Sequence, residues 1–245
     1  MTPSIIALVP ARAGSKRIQR KNVRELNGHP LVAYALATAH ESAIFSAVAV
    51  SSDDPETLEI AEHYGATHLI LRPSELAGDY SPDIAWVNHV MEAVGRTAFD
   101  AFCILRPTSP FRRGEWVARA WDAFRHERCD SLRAMRPACE HPGKMWRAGP
   151  RCATPILPFH GLDAPWHSMP TQELPRVLVQ TAALEIAWTE VLPESISGEI
   201  VMPWITGMDD GPSIDLNTEA DWRRCVDAAT IHPEWLPKIA VEAMA

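Results

Sequence analysis

No two of the five cysteines, at positions 103, 129, 139, 152 and 225, stand as a C-x-x-C pair, and their number is odd. That pattern fits a reducing compartment better than a disulfide framework and gives no support to a structural zinc site. Long apolar runs are also missing. Ile5-Ile6-Ala7-Leu8-Val9 meets Pro10 and a basic loop, too short a stretch for a signal peptide or a membrane span. The expected location is therefore the cytoplasm, with no membrane partner. Positive charge is in deficit, 23 Lys and Arg against 31 Asp and Glu for a net charge of -8, so no general attraction for nucleic acid is expected. There is no internal repeat and no low-complexity tract. Neither G-x-x-x-x-G-K-S/T nor G-x-G-x-x-G occurs, so P-loop and dinucleotide readings lack their motifs.

What is present is the pattern of a folded α/β protein. With 245 residues, 47% hydrophobic and 22% charged, the chain can bury a sizeable core as one domain over 1–245. Strand-length apolar runs alternate with segments of helical period, the mark of a mostly parallel sheet built from βαβ units. The strands read from the sequence are Ser4 to Val9, Ala47 to Ser51, Thr67 to Leu71, Ala101 to Leu105 and Ser131 to Met135. Asp54 and Pro55 open a helix whose face is Leu58, Ala61 and Tyr64 and which stops at Gly65. A second helical stripe, Trp116, Val117, Ala120, Trp121 and Phe124, reads as core against a sheet rather than as a ligand platform. Late in the chain the pattern resumes over Val177 to Trp188 and in a strand from Ile200 to Ile205. Thr218-Glu219-Ala220-Asp221 then forms a capping box before a helix that buries Trp222, Cys225, Val226 and Ala229.

From Pro137 to Pro175 eight prolines break every period, so this stretch is expected to leave the sheet as an arm at about 137–175. Its apolar groups, Met145, Trp146, Ile156, Leu157, Phe159 and Trp166, are unfavourable in water, and a subunit interface is one way to cover them.

The sharpest local signal is electrostatic. Arg12, Lys16, Arg17, Arg20, Lys21 and Arg24 place six cations within thirteen residues, directly after the first strand of an acidic protein. In an open parallel sheet the loop after the first strand is a usual phosphate site. Ala13-Gly14-Ser15 supplies a small turn whose N–H groups can approach an anion, and a nucleoside triphosphate suits the charges. A solvated basic loop is the other reading of the same residues.

The run Pro10-Ala11-Arg12-Ala13-Gly14-Ser15-Lys16, with Arg20-Lys21-Asn22 and Leu26-Asn27-Gly28-His29-Pro30-Leu31, resembles the opening of the acylneuraminate (CMP-sialic acid) cytidylyltransferases. Four further blocks resemble that family in its order. They are Leu71-Arg72-Pro73 with Glu75-Leu76-Ala77-Gly78-Asp79, the run Leu105 to Arg112, His141 to Trp146, and Ser213-Ile214-Asp215-Leu216-Asn217-Thr218-Glu219. The resemblance implies a three-layer, Rossmann-like nucleotide-diphospho-sugar transferase fold, a homodimer formed through the arm, and Mg²⁺-dependent transfer of CMP from CTP to a keto-sugar acid.

By that resemblance Arg12, Lys16 and Lys21 hold the triphosphate and the departing pyrophosphate, with Ala11, Gly14 and Ser15 around them. Asn22, Arg72 and Ser81 lie with the nucleotide. Nucleotidyl transfer needs in-line positioning and charge neutralisation rather than a protein nucleophile, which suits such residues. Asp215 stands where the family holds metal. Asn217, two residues on, shares its side of an extended chain but replaces an aspartate common in relatives, so it brings oxygen without charge. Asp83 stands where relatives often have serine. It reads either as an acceptor for the cytosine amino group or as a first-turn acid after Pro82. On the sugar side, Arg106, Thr181 and Glu185 replace the family's glutamine, asparagine and tyrosine, and Thr171 lies close to a common arginine. Arg106 or Lys144 would meet the sugar carboxylate. These departures point away from common sialic acid toward a related nonulosonic or shorter keto-deoxy acid. His141 and His167 read as packing residues, and no general base stands out. A sugar-1-phosphate nucleotidylyltransferase and a non-catalytic nucleotide-sugar-binding homologue are the competing readings.

Overall fold

The computed structural model describes residues 2–157, 164–205, 212 and 214–239. Phe159 and Ser213, both singled out above, lie outside the described residues. In chain order the elements are β1 (Ile5–Pro10), β2 (Glu25–Leu26), β3 (His29–Pro30), α1 (Leu31–Ser42), β4 (Ala47–Ser52), α2 (Pro55–His63) and β5 (His68–Leu71). They continue with α3 (Asp83–Val94), β6 (Ala101–Ile104), α4 (Gly114–Phe124), β7 (Ser131–Pro137), β8 (Trp146–Ala148) and β9 (Ala153–Pro155). Last come β10 (Leu178–Trp188), β11 (Val201–Ile205) and α5 (Glu219–Ile231).

The chain divides into two compact units, residues 1–134 with 181–245, and residues 135–180. A seven-stranded sheet runs in the order β11-β7-β10-β6-β1-β4-β5. β1 pairs in parallel with β4 and β6, and β4 with β5. β10 enters beside β6 antiparallel, with Ile186 opposite Cys103.

In the first unit β1 is buried on both faces, which is why it reads as an unbroken apolar run. Ile5, Ala7 and Val9 pack on Val32, Leu36, Leu58, Trp116 and Trp121 from α1, α2 and α4. Ile6 and Leu8 pack instead on Trp86, Val87, Val90 and Met91 of α3. Helices therefore cover both faces, as a three-layer fold requires. The Asp54 cap is present, its carboxylate accepting from Glu56 N at 3.3 Å and Thr57 N at 3.2 Å, and Gly65 takes φ +85° just past the helix. Two details differ from expectation. Val226 is 37% exposed instead of buried, because α5 turns Trp222, Cys225 and Ala229 inward. Tyr64 is only half-buried, edge-on to His29 at 5.9 Å. A third cluster joins the two ends of the chain, with Ile18, Leu26, Tyr34 and Phe111 packed on Leu216, Trp222 and Cys225.

The second unit is built largely of short turns and a hairpin of β8 and β9, in which Trp146 faces Pro155. His141 takes a hydrogen bond from Gly143 N on Nδ1, donates from Nε2 to Pro175 O at 2.9 Å, and lies edge-on to Trp166. It is a packing residue, as read from the sequence. Lys144 donates to the carbonyls of His167 and Met169. Met145, Trp146 and Ile156 are 39%, 46% and 47% exposed.

Candidate active site

β1 ends at Pro10 beside the C-terminal ends of β4 and β6, the edge at which open parallel sheets bind ligands. The chain that leaves it is pinned. Ala11 N donates to Ser51 O at 2.9 Å, Ala13 N to the Asp53 carboxylate at 2.8 Å, and the buried Asn22 amide to Arg12 O at 2.8 Å. Two of the N–H groups expected to face phosphate are thus used internally, since Ser15 N also donates, to Ala13 O at 2.7 Å. The turn contributes cations more than backbone donors, and Gly14 stays sterically open between them.

A cavity of about 560 Å³ opens here. Arg12, Ser15, Lys16, Arg17, Lys21 and Asn22 line it from the loop. Arg72, Asp79, Ser81, Asp83 and Trp86 line it from the segment after β5 and the start of α3. Arg106 and Thr108 enter from the end of β6, and Asn217 from the turn before α5. The two ends of the chain meet at Lys21, whose ammonium donates to Leu216 O at 3.0 Å. Burial lowers Lys21 below the ordinary lysine value of 10.5; the Asp215 carboxylate opposes that, while Arg17 and Arg12 add to it. Asp79 closes the Glu75-Leu76-Ala77-Gly78-Asp79 block. Its carboxylate bridges Arg12 at 3.1 Å and Lys16 at 2.7 Å, an internal anion among the cations meant for phosphate.

The turn before α5 was read as a metal position. Asp215 accepts from the Asn217 amide nitrogen at 2.6 Å, and the Asn217 oxygen faces Arg17 at 3.4 Å. The oxygen assigned to a cation therefore points to a guanidinium, and the donor set falls to the one exposed carboxylate of Asp215. Among the described residues no group of three His, Cys, Asp or Glu gathers as a ligand set. One carboxylate still suits Mg²⁺, which commonly completes its shell with water and substrate phosphate.

Arg72 is buried against Ser51, donating from Nε to Oγ at 3.0 Å and from Nη2 to the carbonyl at 3.1 Å, with its guanidinium 5.0 Å from the Trp86 ring. Burial brings it down to about 10 despite Asp53 and Asp83. Trp86 donates from Nε1 to Asp83 at 2.9 Å. Arg106 donates to Asp83 at 2.8 Å and to Glu185 at 2.7 Å and 3.1 Å, so the cation proposed for a sugar carboxylate already holds two carboxylates. Burial pushes the Asp83 carboxyl up, but Arg106, the Trp86 indole and Arg72 outweigh it and leave the group below its ordinary range. The buried Arg112 donates to Ala183 O at 2.7 Å and more weakly to Arg106 O, fixing the backbone beneath this pair.

Residues 6–109 match the family model described as cytidylyltransferase. The family matched is that of the cytidylyltransferases. Over 120 residues the chain is 40% identical to an N-acylneuraminate cytidylyltransferase of Escherichia coli, covering 49% of this chain and 28% of that protein. Over 121 residues it is 36% identical to a pseudaminic acid cytidylyltransferase of Campylobacter jejuni, covering 49% and 52%. The matched stretch thus spans about half or less of these curated relatives. A solved CMP:2-keto-3-deoxy-manno-octonic acid synthetase complexed with CTP shares the fold at TM-score 0.65 and 17% identity, over 94% of this chain and 99% of that one.

The cytidylyltransferase match takes in the cation loop, Arg72, Ser81, Asp83 and Arg106; of the loop, Arg12, Ser15, Lys16, Arg17, Lys21 and Asn22 line the cavity, whereas Ala11 and Gly14 do not, and Arg20 and Arg24 pair instead with Glu56 and Glu219. It ends before Asp215 and Glu185. Ser81 donates to Glu75 O at 2.9 Å and shapes the lip carrying Asp79. Glu185 and Thr181 are not among the described lining residues. Glu185 stands behind Arg106, and the Thr181 hydroxyl donates to Ala134 O at 3.3 Å, across neighbouring strands of the sheet. Lys144 belongs to the second unit. Arg17, one of the six clustered cations, lines the cavity as the sequence suggests, whereas nothing in the sequence singles out Trp86 or Arg133, the latter inside a strand.

Proposed function

We propose that this protein is a cytidylyltransferase that transfers CMP from CTP to the anomeric hydroxyl of a keto-sugar acid and releases pyrophosphate. The observation that carries the proposal is the hydrogen bond from Lys21 to Leu216 O, 195 residues apart in sequence, at a cavity lined by further cations; Asp215 acts electrostatically on the same ammonium but is not among the lining residues. In this reaction the sugar oxygen bonds to the α-phosphorus, the bond from that phosphorus to the β-phosphate oxygen breaks, and the hydroxyl proton passes to solvent. Arg12, Lys16, Arg17 and Lys21 neutralise the triphosphate and the leaving pyrophosphate, which is the main task in such a transfer. Arg72 and Asp83 take the cytidine end, Asp83 accepting from the base amino group as acidic side chains do when they read cytosine. Asp215 would hold Mg²⁺, which supplies charge neutralisation on the phosphate oxygens. The exposed apolar groups of the second unit support a homodimer, and the absence of any paired-cysteine motif supports a cytoplasmic site of action.

The test is pyrophosphate release from CTP across a panel of keto-sugar acids, with and without Mg²⁺. Release should require all three components, and Lys21→Ala and Asp215→Ala should each lower it by about a hundredfold or more. CTP binding without pyrophosphate from any sugar acid would leave a binding protein in place of an enzyme.

A further inference from the structure

Four charges alternate in sign from the sheet to the cavity wall. Arg133 lies on β7, Glu185 on β10, Arg106 just past β6 and Asp83 at the start of α3. The first three side chains are 12%, 7% and 19% exposed. The two oxygens of Glu185 are divided between the two arginines. Oε1 accepts from Arg106. Oε2 lies 2.6 Å from Arg133 Nη1 as an ion pair but has no aligned hydrogen bond, so its compensation is the charge of Arg133. Arg133 does not line the cavity and is itself held by the Ser197 hydroxyl, with Nε at 3.1 Å.

A buried carboxylate stripped of one cation does not stay as it was. It draws the remaining cation closer, takes a proton or moves toward water. Each of these disturbs Arg106, and Arg106 is what fixes Asp83. A carboxylate has about four acceptor positions. Arg106 uses two on Asp83 and Trp86 uses one, which leaves one for a ligand in the cavity. Cytosine offers an amino group to such an acceptor. Uracil presents a carbonyl at the same place and sets lone pair against lone pair.

We infer that Arg133 is a positioning residue for base selection: through Glu185 it fixes Arg106, and Arg106 aims the Asp83 carboxylate that receives the cytosine amino group. This deepens the CTP reading and rests on it. Removing Arg133 changes how Glu185 holds Arg106 without touching the cations around the phosphates.

The experiment is calorimetric titration of wild type, Arg133→Met, Arg133→Lys and Glu185→Gln with CTP, UTP and pyrophosphate. The preference for CTP over UTP should fall about fivefold or more in Arg133→Met and Glu185→Gln, while pyrophosphate affinity holds and Arg133→Lys recovers most of the preference. Retention of the preference in both variants overturns the inference. So does a parallel loss of all three ligands, which is the mark of a merely structural role. A wild-type protein with no preference for CTP overturns the nucleotide reading itself, so the two failures are told apart.

Discussion

At the residue scale, Asp79 shows how a site can hold its own competitor. Its carboxylate bridges Arg12 and Lys16, which the proposed reaction assigns to phosphate, so nucleotide must displace it. Exposed pairs of this kind are weak. Asp79→Asn should therefore tighten pyrophosphate binding only about two- to fivefold, measured by titration calorimetry. A weaker complex would show instead that Asp79 orients the cations. Lys21 makes a second prediction. Burial has lowered its ammonium below 10.5, so its charge fails on the alkaline side earlier than for a free lysine. Affinity for pyrophosphate should decline with rising pH before that value is reached, and Lys21→Arg should move the decline upward. A flat profile through 10.5 would sink the assignment. These cations were legible in the sequence because six of them contradict the acidity of the chain. Their partners were less so. Asp83, Arg106 and Glu185 could be marked only as separate departures from a family pattern. Nothing in the linear order says that the three meet in a single ion network, because the pairing of β10 with β6 joins Glu185 to Arg106, and the packing of α3 rather than spacing brings in Asp83.

At the scale of elements, the capping box of α5 was readable residue by residue, and the structure adds what it holds in place. Asp221 accepts from Thr218 N at 2.8 Å and Asn217 N at 3.1 Å, and Thr218 Oγ1 accepts from Asp221 N at 3.2 Å. The turn carrying Asp215 and Asn217 is thereby anchored to the first turn of the helix. Thr218→Ala should cost about 1 kcal/mol in chemical denaturation. It should also weaken pyrophosphate binding, whereas a mere cap would alter stability alone. The Thr218 hydroxyl and Arg224 pull the Asp221 carboxyl down to about 2, so the contribution of this box is complete above the ordinary value of 3.8 and disappears as pH falls through about 2. The helices and central strands were legible because amphipathic period and buried apolar runs are local properties. The antiparallel entry of β10 beside β6 was not, because a strand's direction follows from the path of the chain before it, and residues 138–177 precede it without period.

At the scale of the whole molecule, the proposed site exists only because the two ends of the chain share one core. The family match stops at residue 109, yet the loop it contains is completed by Leu216 and closed by α5. Trp222 is the largest apolar side chain that α5 gives to that shared cluster, 4% exposed against Ile18, Leu26 and Tyr34, with Arg24 resting over its ring at 4.3 Å. It does not line the cavity. Removing it opens a void on which both the cation loop and the helix depend, and deleting a buried tryptophan costs about 3–5 kcal/mol. Trp222→Ala should lose that much in a denaturant titration. At temperatures where the variant is still folded it should also bind pyrophosphate several-fold more weakly, since Lys21 keeps its place only while Leu216 keeps its own. The contrasting substitution is Trp121→Ala, in the cluster between the sheet and α4. It should lose comparable stability while leaving pyrophosphate affinity near the wild-type value. Equal losses of affinity in both variants would mean that the coupling is global softening rather than a core shared by the two ends of the chain.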